Sequence, residues 1–447
     1  MVAQADRGSG NRKVKSKLAD ERDMLRGSAP MFALDQGPSA CSAVANSGLL
    51  SQRVKRLLKE SDVMPDTLQA DWDPRSDAVL SDQIRAYDDL RGCCPVAHSD
   101  YLGWSVFRHE DVIRVLDDHE TFSSVVSSHL SVPGGMDPPE HTAYRQVIER
   151  YFEPARVAAF APLCRAISTS LVAGLRQGVE LDVIAELAQP FAVQIQCAFL
   201  GWPEKLQAPL LRWVRKNQDA TLAQDTSAMA AIALEFDGYI TELLEARRNA
   251  GAAAPDDVTA QLLHERIGDR PLNHEEIVSI LRNWTVGELA TITACVGILS
   301  HYLAENPQIQ QRLRQQPHLL PAAIDEILRI HAPLIANRRV TTRPVEIGGR
   351  RIAAGERITL MWASANRDEV VFGDPDAFRL DRDPAQNLLY GRGIHVCPGA
   401  LLARLELRAV IEELLKWTGE MTPVPGRQPV LSVYPASGFS SLPMLLT

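Results

Sequence analysis

Long apolar segments are missing from this sequence. No uninterrupted apolar run reaches the ~18 residues of a membrane span, so we expect no transmembrane helix. The N-terminal stretch MVAQADRGSGNRKVKSKLADERD also lacks the apolar centre of a secretory signal. Both absences favour a cytoplasmic protein.

Cysteine is scarce, and basic charge is in deficit. The seven cysteines include no CxxC pair and no Cys/His group with zinc spacing, which fits a reducing compartment. The 47 Lys and Arg residues are outnumbered by 56 Asp and Glu residues. The resulting net charge of −9 argues against nucleic acid as the main partner.

Apolar residues are plentiful, at 45% of 447 residues, which is enough for a large core. Residues 1–60 are rich in Gly, Ser, Lys, Arg and Asp without sustained periodicity, and we predict a mostly disordered extension there. The pattern then continues without a linker or a repeat. This predicts a single domain over residues 61–447.

Helical periodicity dominates that domain and predicts a mainly α fold with a minor β region. The β signals are GWSVFRHEDV (103–112) and VEIGGRRIAAGERITLMWA (345–363), where glycines interrupt alternating apolar residues. The predicted helices are 144–151, 157–177, 229–248, 273–305, 320–329 and 401–417.

The longest predicted helix is framed at both ends. Asn273 and Glu276 have the spacing of a capping box, and Pro307 ends the helix after Asn306. About 32 residues at ~1.5 Å each give a length of roughly 48 Å. Because apolar residues surround it on most sides, we expect it to lie at the centre of the domain.

One cysteine stands in a glycine-rich turn, within LLYGRGIHVCPG (388–399). Glycines allow a backbone to fold tightly around a large object. Cys397 directly precedes an amphipathic helix, whose N-terminus is expected to lower the pKa of the thiol. A thiolate there is a metal ligand or a nucleophile, whereas a purely structural buried cysteine is the alternative.

The segment YGRGIHVCPG resembles the haem-binding loop of cytochromes P450, F-G-x-G-x-H-x-C-x-G, with Tyr390 in place of Phe. Other landmarks of that family follow in the same order along the chain. On these motifs the chain is identified as a member of the bacterial soluble branch over roughly residues 65–447. The landmarks are DPPEHTAYR (137–145), EILR (326–329), SANRDEVVFGDPDAFRLDR (364–382) and ALLARLE (400–406).

The resemblance implies the cytochrome P450 fold and a haem b cofactor with the Cys397 thiolate as axial ligand. Such a thiolate pushes electron density towards oxygen and favours O–O cleavage. The haem propionates need cationic or hydrogen-bonding partners. The family places these partners at His141, Arg145, Arg339 and His395, and the neighbouring Arg338 leaves a shift of one residue open.

Two further groups of residues follow from the resemblance. Glu326 and Arg329 lie one helical turn apart, and the family pairs them, with Arg382 joining, as a structural lock behind the haem. In the central helix, Thr291 lies 35 positions before Glu326, which is the family's spacing for its oxygen-side threonine. Thr291 is therefore a candidate catalytic residue.

The stretch GELAT (287–291) departs from the family pattern. Ala290 occupies the position of the usual acid, and Glu288 stands where the family has Gly. Glu288 is a relocated proton donor, a ligand for a polar or cationic substrate group, or the partner of a cation such as Arg282. Burial beside haem would raise its pKa, which suits proton delivery near neutral pH.

The implied activity is a monooxygenase that inserts one atom of O2 into a small to medium organic substrate, by hydroxylation or oxidative dealkylation. Without a fused flavin or iron–sulfur domain, electrons are expected from a ferredoxin and its reductase, which would meet basic residues such as Arg392. The expected pocket segments are 121–136, the region near 205–240, 284–291, 334–337 and 436–439.

Three alternatives stay open on the sequence. The Ala-Thr pair at 290–291 also resembles the fungal nitric oxide reductase branch, although that branch keeps Gly where this chain has Glu288. A peroxygenase usually places an Arg near the missing acid, and GELAT offers the opposite charge. A haem sensor or ligand carrier without catalysis is the third alternative.

Overall fold

The computed structural model describes residues 70–223, 225–432, 434 and 437–447. The predicted extension (1–60) lies outside the described residues, as does position 436 of the expected pocket. The α-helices of the described part are α1 (Asp77–Ser81), α2 (Gln83–Cys93), α3 (His109–Asp117), α4 (Glu140–Glu149), α5 (Pro154–Ala173), α6 (Gln189–Leu200), α7 (Gln207–Leu222), α8 (Thr226–Ala250), α9 (Val258–Leu262), α10 (His274–Glu305), α11 (Pro307–Gln315), α12 (Leu320–His331), α13 (Trp362–Ala365), α14 (Glu369–Phe372) and α15 (Ala400–Trp417).

The strands are short and form small sheets. Their bounds are β1 (Val96–Ser99), β2 (Gly103–Val106), β3 (Phe122–Ser123), β4 (Glu180–Asp182), β5 (Arg266–Ile267), β6 (Arg270–Pro271), β7 (Ala336–Thr341), β8 (Val345–Ile347), β9 (Arg350–Ile352), β10 (Arg357–Met361), β11 (Met421–Pro423), β12 (Val430–Leu431), β13 (Phe439–Ser441) and β14 (Pro443–Leu446). The largest sheet has the order β1-β2-β10-β7-β3, with β10 parallel to β2 and antiparallel to β7. The mainly α fold with a minor β region is confirmed.

The six predicted helices are all present, with ends that differ by a few residues. The prediction of a strand over 103–112 is wrong in its second half, because α3 begins at His109. The sequence also gave no signal for α6. Its side chains are buried on nearly every side, so the polar face that marks an amphipathic helix is absent.

The central helix α10 has 32 residues and the capping box predicted for its start. The Glu276 N–H donates to Asn273 Oδ1 at 2.9 Å, and the Asn273 N–H donates to Glu276 Oε2 at 2.8 Å. α10 packs against α6, α8, α12 and α15. By length and hydropathy alone, α5 and α10 would suffice to cross a membrane, a test that the core helix of a soluble protein also passes.

A buried ion network connects α12 to the chain that leads into the cysteine turn. Glu326 accepts hydrogen bonds from Arg329 at 2.8 and 3.0 Å and from Arg382 at 2.8 Å. Arg329 also donates to the Asn366 carbonyl at 2.7 Å, and the Asn366 side chain accepts from the Leu388 N–H at 2.8 Å. The pairing expected from the sequence is therefore present, and it reaches the start of the cysteine turn.

Arg329→Gln should lower the free energy of unfolding by about 3–5 kcal/mol, because it leaves the buried Glu326 carboxylate with one cation fewer. Urea unfolding of the haem-loaded protein, followed by circular dichroism, measures this loss. Arg379→Gln is the matched control, since Arg379 pairs with Asp381 on the surface at 2.9 Å and should matter little. Equal losses in both variants would contradict a structural role for the buried network.

Candidate functional site

The turn that carries Cys397 is held by its own backbone. The Cys397 N–H donates to the Tyr390 carbonyl at 2.8 Å, and α15 begins three residues after the cysteine. Gly393 adopts a φ of +71°, and a Cβ at that position would lie 2.7 Å from the Leu116 carbonyl oxygen. Only glycine fits there, so the turn can pack closely against the end of α3.

The Cys397 thiol reaches solvent, yet protein atoms surround it closely. Desolvation raises the pKa of the thiol, and the hydrogen bond from the Gly399 backbone opposes this shift only in part. The amide at the start of the helix therefore lowers the pKa as expected, but burial outweighs it and the net shift in the protein alone is upward. A coordinated metal deprotonates a thiol outright, so a high pKa does not conflict with iron ligation.

The four residues predicted to bind propionates lie together. His141 and Arg145 come from α4, Arg339 comes from β7, and His395 belongs to the cysteine turn. The rings of His141 and His395 have centroids 4.3 Å apart. His395 Nε2 and Ser124 Oγ are 2.8 Å apart, and the Ser124 N–H donates to Asp137 at 2.9 Å.

In this cluster, Arg145 already pairs with Glu149 at 2.7 Å, and Asp137 is the further acid that acts on His141 and Arg339. Both ring nitrogens of the buried His141 lack a hydrogen-bond partner among the described residues. Burial, then Arg339, lowers the pKa of His395 to about 3, and burial lowers that of Arg339 to about 10. Two carboxylates beside these groups would supply the missing acceptors and charge, so the donor set fits the propionates of haem b.

The strand register separates the two neighbouring arginines. Arg339 lies opposite Ile358 and Arg338 lies opposite Thr359 in the antiparallel β7–β10 pair, so the two side chains leave opposite faces of the sheet. Arg339 is 8% exposed, and its charge lowers the pKa of His395. The charge of Arg338 instead lowers the pKa values of Tyr101 and Tyr434, against the larger effect of their burial. The structure thus brings Arg339, not Arg338, to the histidines.

The middle of α10 is most accessible at Ala290, beside Thr291. Ala290 is exposed although most of its helix is buried, and Thr291 is half-buried beside it. The Thr291 hydroxyl donates to the Gly287 carbonyl at 2.9 Å, within the same helix. The hydroxyl oxygen keeps lone pairs for a further donor. Its catalytic role stays a prediction.

Glu288 leaves α10 towards α15, where its carboxyl group meets that of Glu406. Glu288 Oε1 and both carboxyl oxygens of Glu406 are buried and have no donor among the described residues. Two carboxyl groups share a hydrogen bond only when one of them is protonated. Burial raises the pKa of Glu288 to about 7, and burial together with Glu288 raises that of Glu406.

This placement changes the alternatives for Glu288. Arg282 pairs instead with Asp237, at 2.8 Å, so the proposed Glu288–Arg282 ion pair is wrong. The groups that shift the pKa of either carboxyl are acids and thiols, without a cation among the described residues. Glu406 lies in the ALLARLE motif, but the sequence assigns it no role. Nothing along the chain indicates that α15 brings it to Glu288.

Comparisons with known proteins agree on one family. A family model described as cytochrome P450 matches residues 221–435. Erythromycin C-12 hydroxylase from Saccharopolyspora erythraea is 33% identical over 73% of this chain and 85% of that protein. Linalool 8-monooxygenase from Pseudomonas putida is 31% identical over 70% of this chain and 82% of that protein.

Solved structures of the same family superpose on this chain. The open cytochrome P450 EryK from S. erythraea has a TM-score of 0.74 at 29% identity, covering 82% of this chain and 96% of that chain. A cytochrome P450 from Bacillus megaterium in complex with testosterone has a TM-score of 0.72 at 26% identity, covering 84% and 100% of the respective chains.

Glu288→Gln should make stability less dependent on pH. A carboxyl whose folded pKa is raised contributes stability that is fully present below its unfolded pKa and lost as pH rises through the folded value. The native protein should therefore lose about 1–3 kcal/mol more than Glu288→Gln between pH 5 and about 8. Urea unfolding at each pH measures this difference.

Glu275→Gln is the control, because it removes the same charge from an exposed position in the first turn of α10. It should follow the native pH profile. If Glu288→Gln also follows that profile, the paired carboxyl groups do not hold a proton in the folded protein.

Proposed function

Because the chain belongs to the cytochrome P450 family and is a haem-thiolate monooxygenase, we propose that it inserts one atom of O2 into a small to medium organic substrate by hydroxylation or oxidative dealkylation. We propose a cytoplasmic location and electron supply by a ferredoxin and its reductase. The redox partners and the substrate class rest on the family.

One observation carries the proposal for the site. The proposed iron ligand and the proposed propionate partners lie close together. His395 belongs to the Cys397 turn, and it is surrounded by His141, Arg145 and Arg339. When bound, haem supplies the iron at which O2 is activated. Cys397 is the proposed axial ligand, and the cluster orients the group through its carboxylates.

Thr291 is the proposed oxygen-side hydroxyl. The Thr291 hydroxyl donates its proton to the Gly287 carbonyl. The lone pairs of the hydroxyl oxygen can therefore accept a hydrogen bond from a group on the accessible side of α10. Glu288 is proposed as a proton donor to the same region, since a carboxyl with a pKa near 7 holds a proton at working pH. No cation among the described residues shifts its pKa, and this disfavours the ion-pair alternative.

The proposed docking surface for the ferredoxin surrounds Cys397. Val396 and Leu401 expose 39% and 42% of their surfaces on either side of the cysteine. Arg392 is exposed nearby, although Asp117 pairs with it at 3.0 Å and offsets part of its charge. An apolar centre with a modest basic rim suits a transient complex with an acidic carrier.

The reduced protein under carbon monoxide should show the far-red-shifted Soret band of sulfur coordination. Cys397→Ser should lose this band, because the hydroxyl replaces the thiolate as the available ligand. Cys93→Ser is the control, since Cys93 is an exposed thiol elsewhere. A native spectrum without the band, in protein that contains haem, would overturn the assignment of Cys397.

Thr291→Ala should separate electron consumption from product formation. With a ferredoxin, its reductase and a substrate found by spin-state titration, the native protein should form product in step with reductant used. The variant should still consume reductant, but the product formed per reductant consumed should fall by about 10-fold or more, because a positioned proton is missing.

Thr293→Ala is the matched control, two residues along and on another face of α10. It should keep the native ratio of product to reductant. If Thr291→Ala keeps that ratio as well, Thr291 is not the oxygen-side hydroxyl. Native protein that forms product with peroxide but not with the ferredoxin system would instead favour the peroxygenase alternative.

A further inference from the structure

Glu288 and Glu406 form a carboxyl pair that bridges the oxygen-side helix and the cysteine-side helix. The pair spans α10 and α15, which pack against each other, and three of its carboxyl oxygens are buried without a donor among the described residues. α15 begins three residues after Cys397, and Glu288 raises the pKa of that thiol. Electrostatic coupling is reciprocal, so negative charge at the thiolate and its iron must in turn favour protonation of Glu288.

Within the part of the chain that the structure describes, no cation shifts the pKa of either carboxyl of the pair. Glu406 is fully buried, and the titratable groups that face the two carboxyls are Cys164 from α5, Cys295 from α10 and Cys397 from the cysteine turn. None of these is a cation. Arg145 and Arg404 act on the Cys397 thiol, but neither shifts the pKa of either carboxyl. At the pair itself, an extra negative charge nearby is therefore offset by a proton rather than by a positive side chain.

We propose that the Glu288–Glu406 pair takes up one proton from solvent when one electron from an external carrier reduces the haem held by Cys397. One electron and one proton arrive together, so the net charge of the site does not change. Glu288 is the proposed entry point, because the residue as a whole is only partly buried although its Oε1 is enclosed, whereas Glu406 has no exposed surface. Glu406 keeps the first proton and holds Glu288 in place.

This inference rests on the assignment of Cys397 to iron, and it adds a role that Thr291 does not share. It gives Glu288 a function even if its proton never reaches the substrate. The pair would keep reduction favourable near neutral pH, because added charge in a medium of low dielectric constant is costly when it is uncompensated.

The test is the midpoint potential of the haem-loaded protein as a function of pH, measured by spectroelectrochemical titration from pH 5.5 to 8.5. The native potential should fall by up to about 59 mV per pH unit through the neutral range, the value for a tenfold change in proton concentration with one electron. Glu288→Gln and Glu288→Ala should flatten this dependence. Glu288→Asp, which keeps a carboxyl, should restore it.

Glu275→Gln removes the same charge from the exposed first turn of α10 and should keep the native slope. A native potential that does not vary with pH, or a slope that survives in both Glu288→Gln and Glu288→Ala, would overturn the proposal. The carbon monoxide spectrum is recorded on the same samples. The spectrum tests iron ligation by Cys397 separately from proton uptake by the carboxyl pair, so a failure of either hypothesis can be recognised.

Discussion

A carboxylate buried behind the site, at Glu326, constrains much of what surrounds it. It needs cations, and it receives two guanidinium groups, from Arg329 and Arg382. The same arginines donate further hydrogen bonds to backbone carbonyls of the segment that precedes the cysteine turn. Satisfying one buried charge therefore fixes the path of the chain that delivers Cys397.

Buried acids in this protein are treated in two ways. Glu276, at the start of α10, is met by Arg270, Tyr144 and the Asn273 N–H, and its pKa is held at about 2. The pair Glu288–Glu406 receives no such partners from the described residues, and the pKa of each group is raised. The first arrangement holds a helix end in place. The second is the arrangement that we propose takes up a proton, and perturbed carboxyl groups of this kind cluster at functional sites.

The sequence was informative where the signal is local. The capping box at Asn273, the long α10 and the glycine-rich turn at Cys397 all depend on residues close together in the chain. The partner of Glu288 was not predictable, because residues more than a hundred positions apart meet only when α15 packs on α10. The thiol pKa was misjudged for a similar reason. A helix N-terminus is visible in the sequence, whereas burial is a property of the whole fold.

Ser124 joins two regions that lie far apart in the sequence. Its N–H donates to Asp137 and its hydroxyl contacts His395, so the segment expected to face the substrate is tied to the Cys397 turn. Loop grafting aimed at a new substrate would therefore disturb cofactor retention as well. Engineering of this enzyme should begin at positions beyond Ser124 and leave that short tether intact.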